Sequence, residues 1–146
     1  MEKLNYVKTM LLTGIGTIGG LFAKVLGGWS EDLTTLLIFM AVDFTTGLLI
    51  AAIWKKSGKS QTGALNSRSA WKGLIRKGVT LLVVLVANRL DITLGVNYIR
   101  TGVIIAFIAN EAISIVENLG IMGIPLPVMI IKAIDVLKQK SEAEKK

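Results

Sequence analysis

A long apolar segment with one acidic residue at its centre constrains this chain more than any other feature. Residues Leu33 to Trp54 read LTTLLIFMAVDFTTGLLIAAIW, and Asp43 lies halfway along them. As an α-helix this segment is roughly 33 Å long, whereas the hydrocarbon core of a bilayer is about 30 Å thick. A carboxylate at the centre of a spanning helix costs on the order of 2.5 to 3.5 kcal/mol. Asp43 is therefore expected to have a partner, a proton or a function.

The composition supports a small polytopic membrane protein. Hydrophobic residues make up 52% of the 146 residues, charged residues 18%, and the chain has no cysteine or histidine. The usual zinc, haem and iron–sulfur ligand sets are therefore missing, as are thiol nucleophiles and Ser–His–Asp triads. We predict no metal, no cofactor, no catalytic residue and no enzyme activity. The net charge of +7 is interpreted as a topology signal, because no nucleic-acid-binding motif accompanies it.

Hydropathy predicts an all-α integral membrane protein with about four transmembrane helices and a C-terminal amphipathic helix. The predicted membrane domain is 1–127, with helices at about 4–26, 33–54, 74–94 and 99–119, and the predicted cytoplasmic tail is 128–146. A three-span alternative stays open, because the first segment is rich in glycine and could lie in the membrane interface.

Loop charges predict the orientation. Seven lysines and arginines and no acidic residue lie from Lys55 to Lys77, which includes a predicted loop at 55–73. By the positive-inside rule this loop is cytoplasmic. An even number of spans places both termini on the same cytoplasmic side.

Two acidic residues are predicted to share the membrane midplane. Asp43 and Glu111 each lie about ten residues into a helix that runs from outside to inside. Asp91 and Arg100 are expected to match in depth at the outer turn, and Asp43 is expected to lie opposite Thr13. The candidate assembly or gating residues are Asp43, Thr46, Gly47, Asn110, Glu111, Ser114, Glu117 and Asn118. The alternative is interhelical hydrogen bonding that only holds the bundle together.

A stripe of small and polar residues runs along the first helix at three- and four-residue spacing. Its members are Thr9, Thr13, Gly16, Thr17, Gly20 and Lys24. The stripe is either a close-packing seam, in which Gly16 and Gly20 form a GxxxG pair, or a surface that lines water when copies assemble.

The loop and the end of the fourth helix carry weaker signals. The Gly/Ser-rich basic segment from Ser57 to Trp71 could contact anionic lipid headgroups or could be a solvated linker. Gly123, Pro125 and Pro127 predict a helix stop. The following Val128–Lys140 is predicted to be an interfacial amphipathic helix.

Several motifs in order resemble the toxin secretion/phage lysis holin family. They are GGW (27–29), VDFTTGLL (42–49), NSRSAWKGLIRKG (66–78), NEAISIVEN (110–118) and GIPLP (123–127). The likeness extends from about Gly27 to Leu137, and its loop motif includes Asn66, Ser67, Gly73 and Lys77. Ala70 departs from the pattern, since a glycine is expected there.

The resemblance implies a homo-oligomer in the bacterial cytoplasmic membrane. Such a protein accumulates and then assembles into lesions through which an endolysin, or in some relatives a toxin, leaves the cell. The trigger could be a concentration threshold or membrane depolarisation, since a charge that crosses the field contributes about 2.3 kcal/mol per 100 mV. The competing class is a small proton-coupled transporter that works as a dimer. Against it are the position of the acid in the second span and the absence of an aromatic cage around it.

Overall fold

Residues 2–56 and 66–143 are described by a computed structural model, and within these ranges the chain is helical throughout, without strands. Five α-helices follow one another with short turns between most of them. Their bounds are α1 Glu2–Val25, α2 Glu31–Leu49, α3 Ser67–Leu94, α4 Ile99–Met122 and α5 Val128–Ala143. A π-helical segment, Ile50–Trp54, continues α2.

The third helix begins earlier than its hydropathy predicts. It starts at Ser67 rather than Leu74, because Asn66 caps it: the Asn66 Oδ1 accepts a hydrogen bond of 2.9 Å from the Arg68 backbone N–H. The last seven residues of the predicted 55–73 loop are therefore helical. Residues 57–65 of that loop, and 144–146 of the tail, lie outside the described residues. The fourth helix extends three residues past its predicted end, to Met122.

The core lies between α2, α3 and α4. Its buried members are Leu26, Leu33, Leu36, Met40, Val84, Ile104 and Ile108. Helix α4 is central, since it packs against α2, α3 and α5. Ser30 starts α2 as its N-cap, and Glu31 and Asp32 in the first turn complement the helix dipole.

Helix α5 forms after the GIPLP turn and packs against α4. Gly123 ends α4 with a positive φ of 74°, and its N–H donates to the carbonyl groups of Gly120 and Leu119. The predicted apolar face of α5 is divided: Leu137 packs against the core, whereas Val128 and Ile131 are exposed.

Helix α1 stands apart from this bundle. Ala23 is its one buried residue among those described, and no other described helix packs along it. Its C-terminal end is nevertheless held by polar contacts at the α1–α2 turn. Asn88 donates to the Val25 carbonyl over 3.3 Å, and the Arg100 guanidinium donates to the carbonyl groups of Leu26 and Gly28 at 2.6 and 2.9 Å.

Asp91 and Arg100 meet at the α3–α4 turn, as their predicted match in depth implies, but the contact is made by the Arg100 backbone N–H and not by its side chain. The Asp91 carboxylate accepts hydrogen bonds of 2.9 Å from the backbone N–H groups of Ile99 and Arg100, and so caps the start of α4. This frees the guanidinium of Arg100 for the α1–α2 turn. Capping by Asp91 is favourable because the first N–H groups of a helix have no partner within the helix.

Among the described residues, three helices are long and apolar enough to cross a membrane. They are α1, α2 together with its π-helical end, and α4. Helix α3 is long enough but interrupts its apolar run with Lys77, Arg89 and Asp91.

Substitution of two adjacent glycines tests how much the contacts of the α1–α2 turn contribute to stability. Gly27 and Gly28 both have a positive φ, of 96° and 90°, so alanine at either position is strained by about 1 to 2 kcal/mol. A Cβ on Gly27 would also clash with the Asn88 amide oxygen and lie 2.9 Å from Arg100 Nε, whereas a Cβ on Gly28 meets nothing within 4 Å. Gly27→Ala should therefore lower the free energy of unfolding in detergent more than Gly28→Ala, by on the order of 1 kcal/mol. Equal losses would show that the contact of Arg100 with the turn does not limit stability.

Candidate functional site: a buried lysine between two carboxylates

One buried cation joins the two predicted midplane acids. The Lys77 ammonium lies 2.9 Å from Asp43 Oδ2 and 2.5 Å from Glu111 Oε2. The three side chains are 14%, 7% and 10% exposed, in the order lysine, aspartate, glutamate. The cluster therefore connects α2, α3 and α4 inside the bundle.

Further polar groups complete the coordination of Asp43. The Ser114 hydroxyl donates to Asp43 Oδ1 at 2.5 Å, and the Asn118 amide donates to the same oxygen at 3.0 Å. Asn118 also donates to Thr46 Oγ1 at 2.9 Å. The Asp43 carboxylate thus accepts hydrogen bonds from an ammonium, a hydroxyl and an amide. These hydrogen bonds compensate the cost of burying the Asp43 charge, because an unpaired buried charge is strongly unfavourable.

The cluster carries one net negative charge when all three ionisable groups are charged. Removing one partner of a buried ion pair typically costs 3 to 5 kcal/mol, since the other charge is left uncompensated. Lys77 is the member on which both acids depend. The ion pairs that it forms therefore join α3 to both α2 and α4.

Sequence reasoning identified both acids but misplaced their partner. Lys77 belongs to the predicted loop motif and falls in the first turn of the helix predicted at 74–94, whereas it lies ten residues inside the observed α3 and pairs with Asp43. A sequence signal was present: Asn66 is a strong N-cap residue, and a helix that begins there contains Lys77 well within its length. The other motif residues, Ser67 and Gly73, also lie in α3, and Gly73 packs near the Phe44 ring.

The predicted stripe on α1 does not meet Asp43. Thr9, Thr13, Gly16, Thr17, Gly20 and Lys24 are all exposed. A Cβ built on Gly16 or Gly20 would meet nothing within 4 Å, so these glycines make no close helix contact in the described chain. The expectation that Thr13 lies opposite Asp43 is therefore wrong, because the α1–α2 turn does not fold α1 back along α2. The Thr9 and Thr17 hydroxyls donate instead to carbonyl groups four residues earlier.

The predicted polar face of α4 divides into two sides. Glu111 and Asn118 are buried and Ser114 is half-buried, and all three join the cluster. Asn110 and Glu117 are exposed and lie outside it. Thr46 accepts a hydrogen bond from Asn118, and a Cβ built on Gly47 would lie 3.9 Å from the Asn118 amide nitrogen. The predicted helix-stop residues lie outside this cluster. Gly123 is the C-cap of α4, and Pro125 and Pro127 lie in the turn between α4 and α5.

The carboxylates do not form a metal centre in the described part of the chain. No group of three or more His, Cys, Asp or Glu residues suited to a metal ion occurs among the described residues. The cation that the two acids share is Lys77 itself.

Comparison with known proteins identifies the family. The model of the bacteriophage holin family matches residues 20–139, most of the chain. This chain belongs to the bacteriophage holin family. The resemblance that its motifs indicated is thereby confirmed. Holins are membrane pore-forming proteins rather than enzymes, and their role is lysis.

Individual relatives match from 79% to 96% of this chain. A 14.9 kDa protein of Clostridium perfringens is 37% identical over 143 residues, covering 96% of this chain and 99% of the relative. The probable holin of Bacillus phage phi105 is 34% identical over 116 residues, covering 79% and 80%. The YqxH protein of Bacillus subtilis is 35% identical, covering 81% and 79%. No solved structure matches this chain.

Neutralising Lys77 tests the cluster directly. Lys77→Met leaves two carboxylates buried without a cation and should lower the free energy of unfolding in detergent by about 3 to 5 kcal/mol. Lys72→Met is the matched control, because Lys72 is an exposed lysine of the same helix, and its effect should stay within about 0.5 kcal/mol. The triple variant Lys77→Met/Asp43→Asn/Glu111→Gln should recover much of the loss. Equal effects of Lys77→Met and Lys72→Met would contradict the cluster.

Proposed function

We propose that this holin accumulates in the bacterial cytoplasmic membrane as a closed helix bundle and then oligomerises into lesions that release an endolysin or a protein toxin. The observation that carries the proposal is the Asp43–Lys77–Glu111 cluster, which hides charge between α2, α3 and α4 in a chain of the holin family. Opening a lesion requires polar surface to meet water. Together with Asn118, the cluster holds three of the five polar residues that are buried in the described part of the chain, Asp43, Glu111 and Asn118.

The proposed membrane arrangement has four spans with both termini in the cytoplasm. Helix α3 is the span that hydropathy does not support, but its charges are accounted for in the structure. Lys77 is paired with two acids, and Asp91 is hydrogen-bonded to the start of α4. Arg89 lies near the outer end, where a long side chain can reach the interface. The basic residues at 55–77 favour a cytoplasmic α2–α3 connection, where they would contact anionic lipids.

The residues proposed for assembly or gating act by setting the balance between closed and open bundles. Asp43, Glu111, Ser114, Asn118, Thr46 and Gly47 hold the closed form, and Asn110 and Glu117 face outward. Because assembly follows mass action, a threshold concentration would set the time of lysis without any cofactor. A change of about 1.4 kcal/mol in the closed form would shift that balance roughly tenfold.

Inducible expression in a bacterium, with and without a co-expressed endolysin, tests the proposed function. We expect abrupt lysis after a delay, and only when the endolysin is present. Continued growth accompanied by drug resistance would overturn the proposal in favour of a proton-coupled transporter. Lysis that is equally fast without the endolysin would indicate general membrane damage instead.

Two cluster variants should move the onset of lysis in opposite directions. Glu111→Gln removes the excess negative charge but keeps a hydrogen-bonding group beside Lys77, so the closed form gains stability and lysis should be delayed. Lys77→Met removes the shared cation, so lysis should begin at a lower protein level. Onset is measured by culture turbidity, and protein level in the membrane by immunoblotting. A shift in the same direction for both variants would contradict a closing role for the cluster.

A further inference from the structure

Two polar side chains of α4 face outward and have no partner among the described residues. Asn110 lies near the middle of the helix and Glu117 seven residues later, and both are exposed. Neither side chain forms a hydrogen bond or ion pair within the described chain. An amide near the middle of a spanning helix has no partner in lipid, so it is expected to face protein or water.

These two residues belong to a regular row along α4, which we call the α4 seam. Its members recur at alternating three- and four-residue spacing and are exposed or half-buried: Val103, Ala106, Asn110, Ile113, Glu117 and Gly120. Helix α3 carries a second such row, the α3 seam. Its members are all exposed: Lys72, Arg76, Val79, Val83, Val86 and Leu90. Spacing of this kind is typical of helices that pack side by side over a long distance.

The charges on the two seams match in depth. Arg76 lies eighteen residues before the end of α3 at Leu94, and Glu117 lies eighteen residues after the start of α4 at Ile99. Because the two helices are joined by a short turn, positions equally far from it lie at about the same depth. Arg76 and Glu117 do not pair with each other in the described chain, and Arg76 is also exposed.

We propose that a second copy of this chain, inserted in the same orientation, packs its α3 seam against the α4 seam, with an Arg76–Glu117 ion pair between copies. This rests on the proposed function, since lesion formation requires self-association. A twofold axis along the membrane normal would form the ion pair twice, as expected of an isologous contact. The same contact removes Asn110 from lipid.

Complementarity favours a second copy over other occupants. The α3 seam is cationic at its cytoplasmic end and apolar beyond it, whereas the α4 seam places its acid at the depth of Arg76. Lipid tails would satisfy neither Asn110 nor Glu117. From Lys72 to Leu90 the seam is about 27 Å long, long enough for contact across most of the hydrocarbon core.

Cysteine cross-linking tests the contact and its register, because the natural chain has no cysteine. Two differently tagged copies are co-expressed, one with Val79→Cys and the other with Ile113→Cys. These positions lie fifteen and fourteen residues from the α3–α4 turn. Oxidation in isolated membranes should yield the mixed disulfide, since the proposed packing brings the two positions to similar depth.

A register-shifted pair is the matched control. Val86→Cys lies on the same seam as Val79 but about 10 Å nearer the outer end. Paired with Ile113→Cys, it should cross-link at least about fivefold less than Val79→Cys, given the short reach of a disulfide. Equal yields, or none for either pair, would overturn the interface. A strong intramolecular cross-link between Thr13→Cys and Ile113→Cys would show that α1 of the same chain covers the seam instead.

Exchange of charges tests the ion pair. Arg76→Glu or Glu117→Arg, each placed in both cysteine-bearing copies, should reduce the Val79–Ile113 cross-link at least about threefold by like-charge contact. The double exchange Arg76→Glu/Glu117→Arg should restore it. Arg89→Glu, at an exposed arginine of α3 near the outer end, should leave the yield unchanged. A double exchange as weak as the single changes would overturn the Arg76–Glu117 pair.

The cross-linking outcome is separable from that of the proposed function. Cross-links are measured in membranes without endolysin, whereas the function is measured by endolysin-dependent lysis. Lysis without the predicted cross-link would overturn this interface alone. A register-specific cross-link without lysis would overturn the proposed function and leave the contact between copies.

Discussion

The packing of α3 into the bundle depends on one buried cation. Lys77 lies within hydrogen-bonding distance of both Asp43 and Glu111, and these acids are on different helices. Each acid would be strongly unfavourable alone in an apolar interior, and so would the lysine. Together they allow a helix too polar to span by hydropathy to pack beside two helices that are apolar enough. The position of α3 is thus determined by charge compensation as much as by its buried apolar residues, Val84 and Ala87.

Hydrogen bonds from side chains to the backbone likewise determine how the α1–α2 and α3–α4 turns are held. The Asp91 carboxylate accepts hydrogen bonds from backbone N–H groups at the start of α4. The Arg100 guanidinium donates hydrogen bonds to backbone carbonyl groups just after the end of α1. Pairing of the two side chains with each other would leave both sets of backbone groups without these partners. Both side chains therefore form hydrogen bonds with backbone groups rather than an ion pair with each other. This fixes where α1 leaves the bundle while the rest of α1 has no described helix beside it.

The sequence was sufficient for the helical class, the apolar segments and the choice of Asp43 and Glu111 as two acids inside the bundle, because each depends on local composition or helical spacing. It was not sufficient for the role of Lys77, since hydropathy places the start of the helix seven residues too late and Lys77 in its first turn, where a lysine would reach the membrane interface. Attention to Asn66 as an N-cap would have corrected this boundary. The place of α1 could not be predicted either. Its stripe of threonines and glycines is compatible with close packing, but whether it packs depends on the direction of the turn at Gly27 and Gly28.

The division of polar residues on α4 links the fold of one copy to the assembly of many. Glu111, Ser114 and Asn118 are satisfied inside the bundle, so they favour the folded subunit at any concentration. Asn110 and Glu117, on the outward side, have no such partner within the described chain. In lipid their cost is relieved only when protein or water covers them, and a second copy becomes more available as the protein accumulates. In the proposed assembly the inward side favours a closed subunit while the outward side favours association, and that combination is what a concentration-dependent lesion requires.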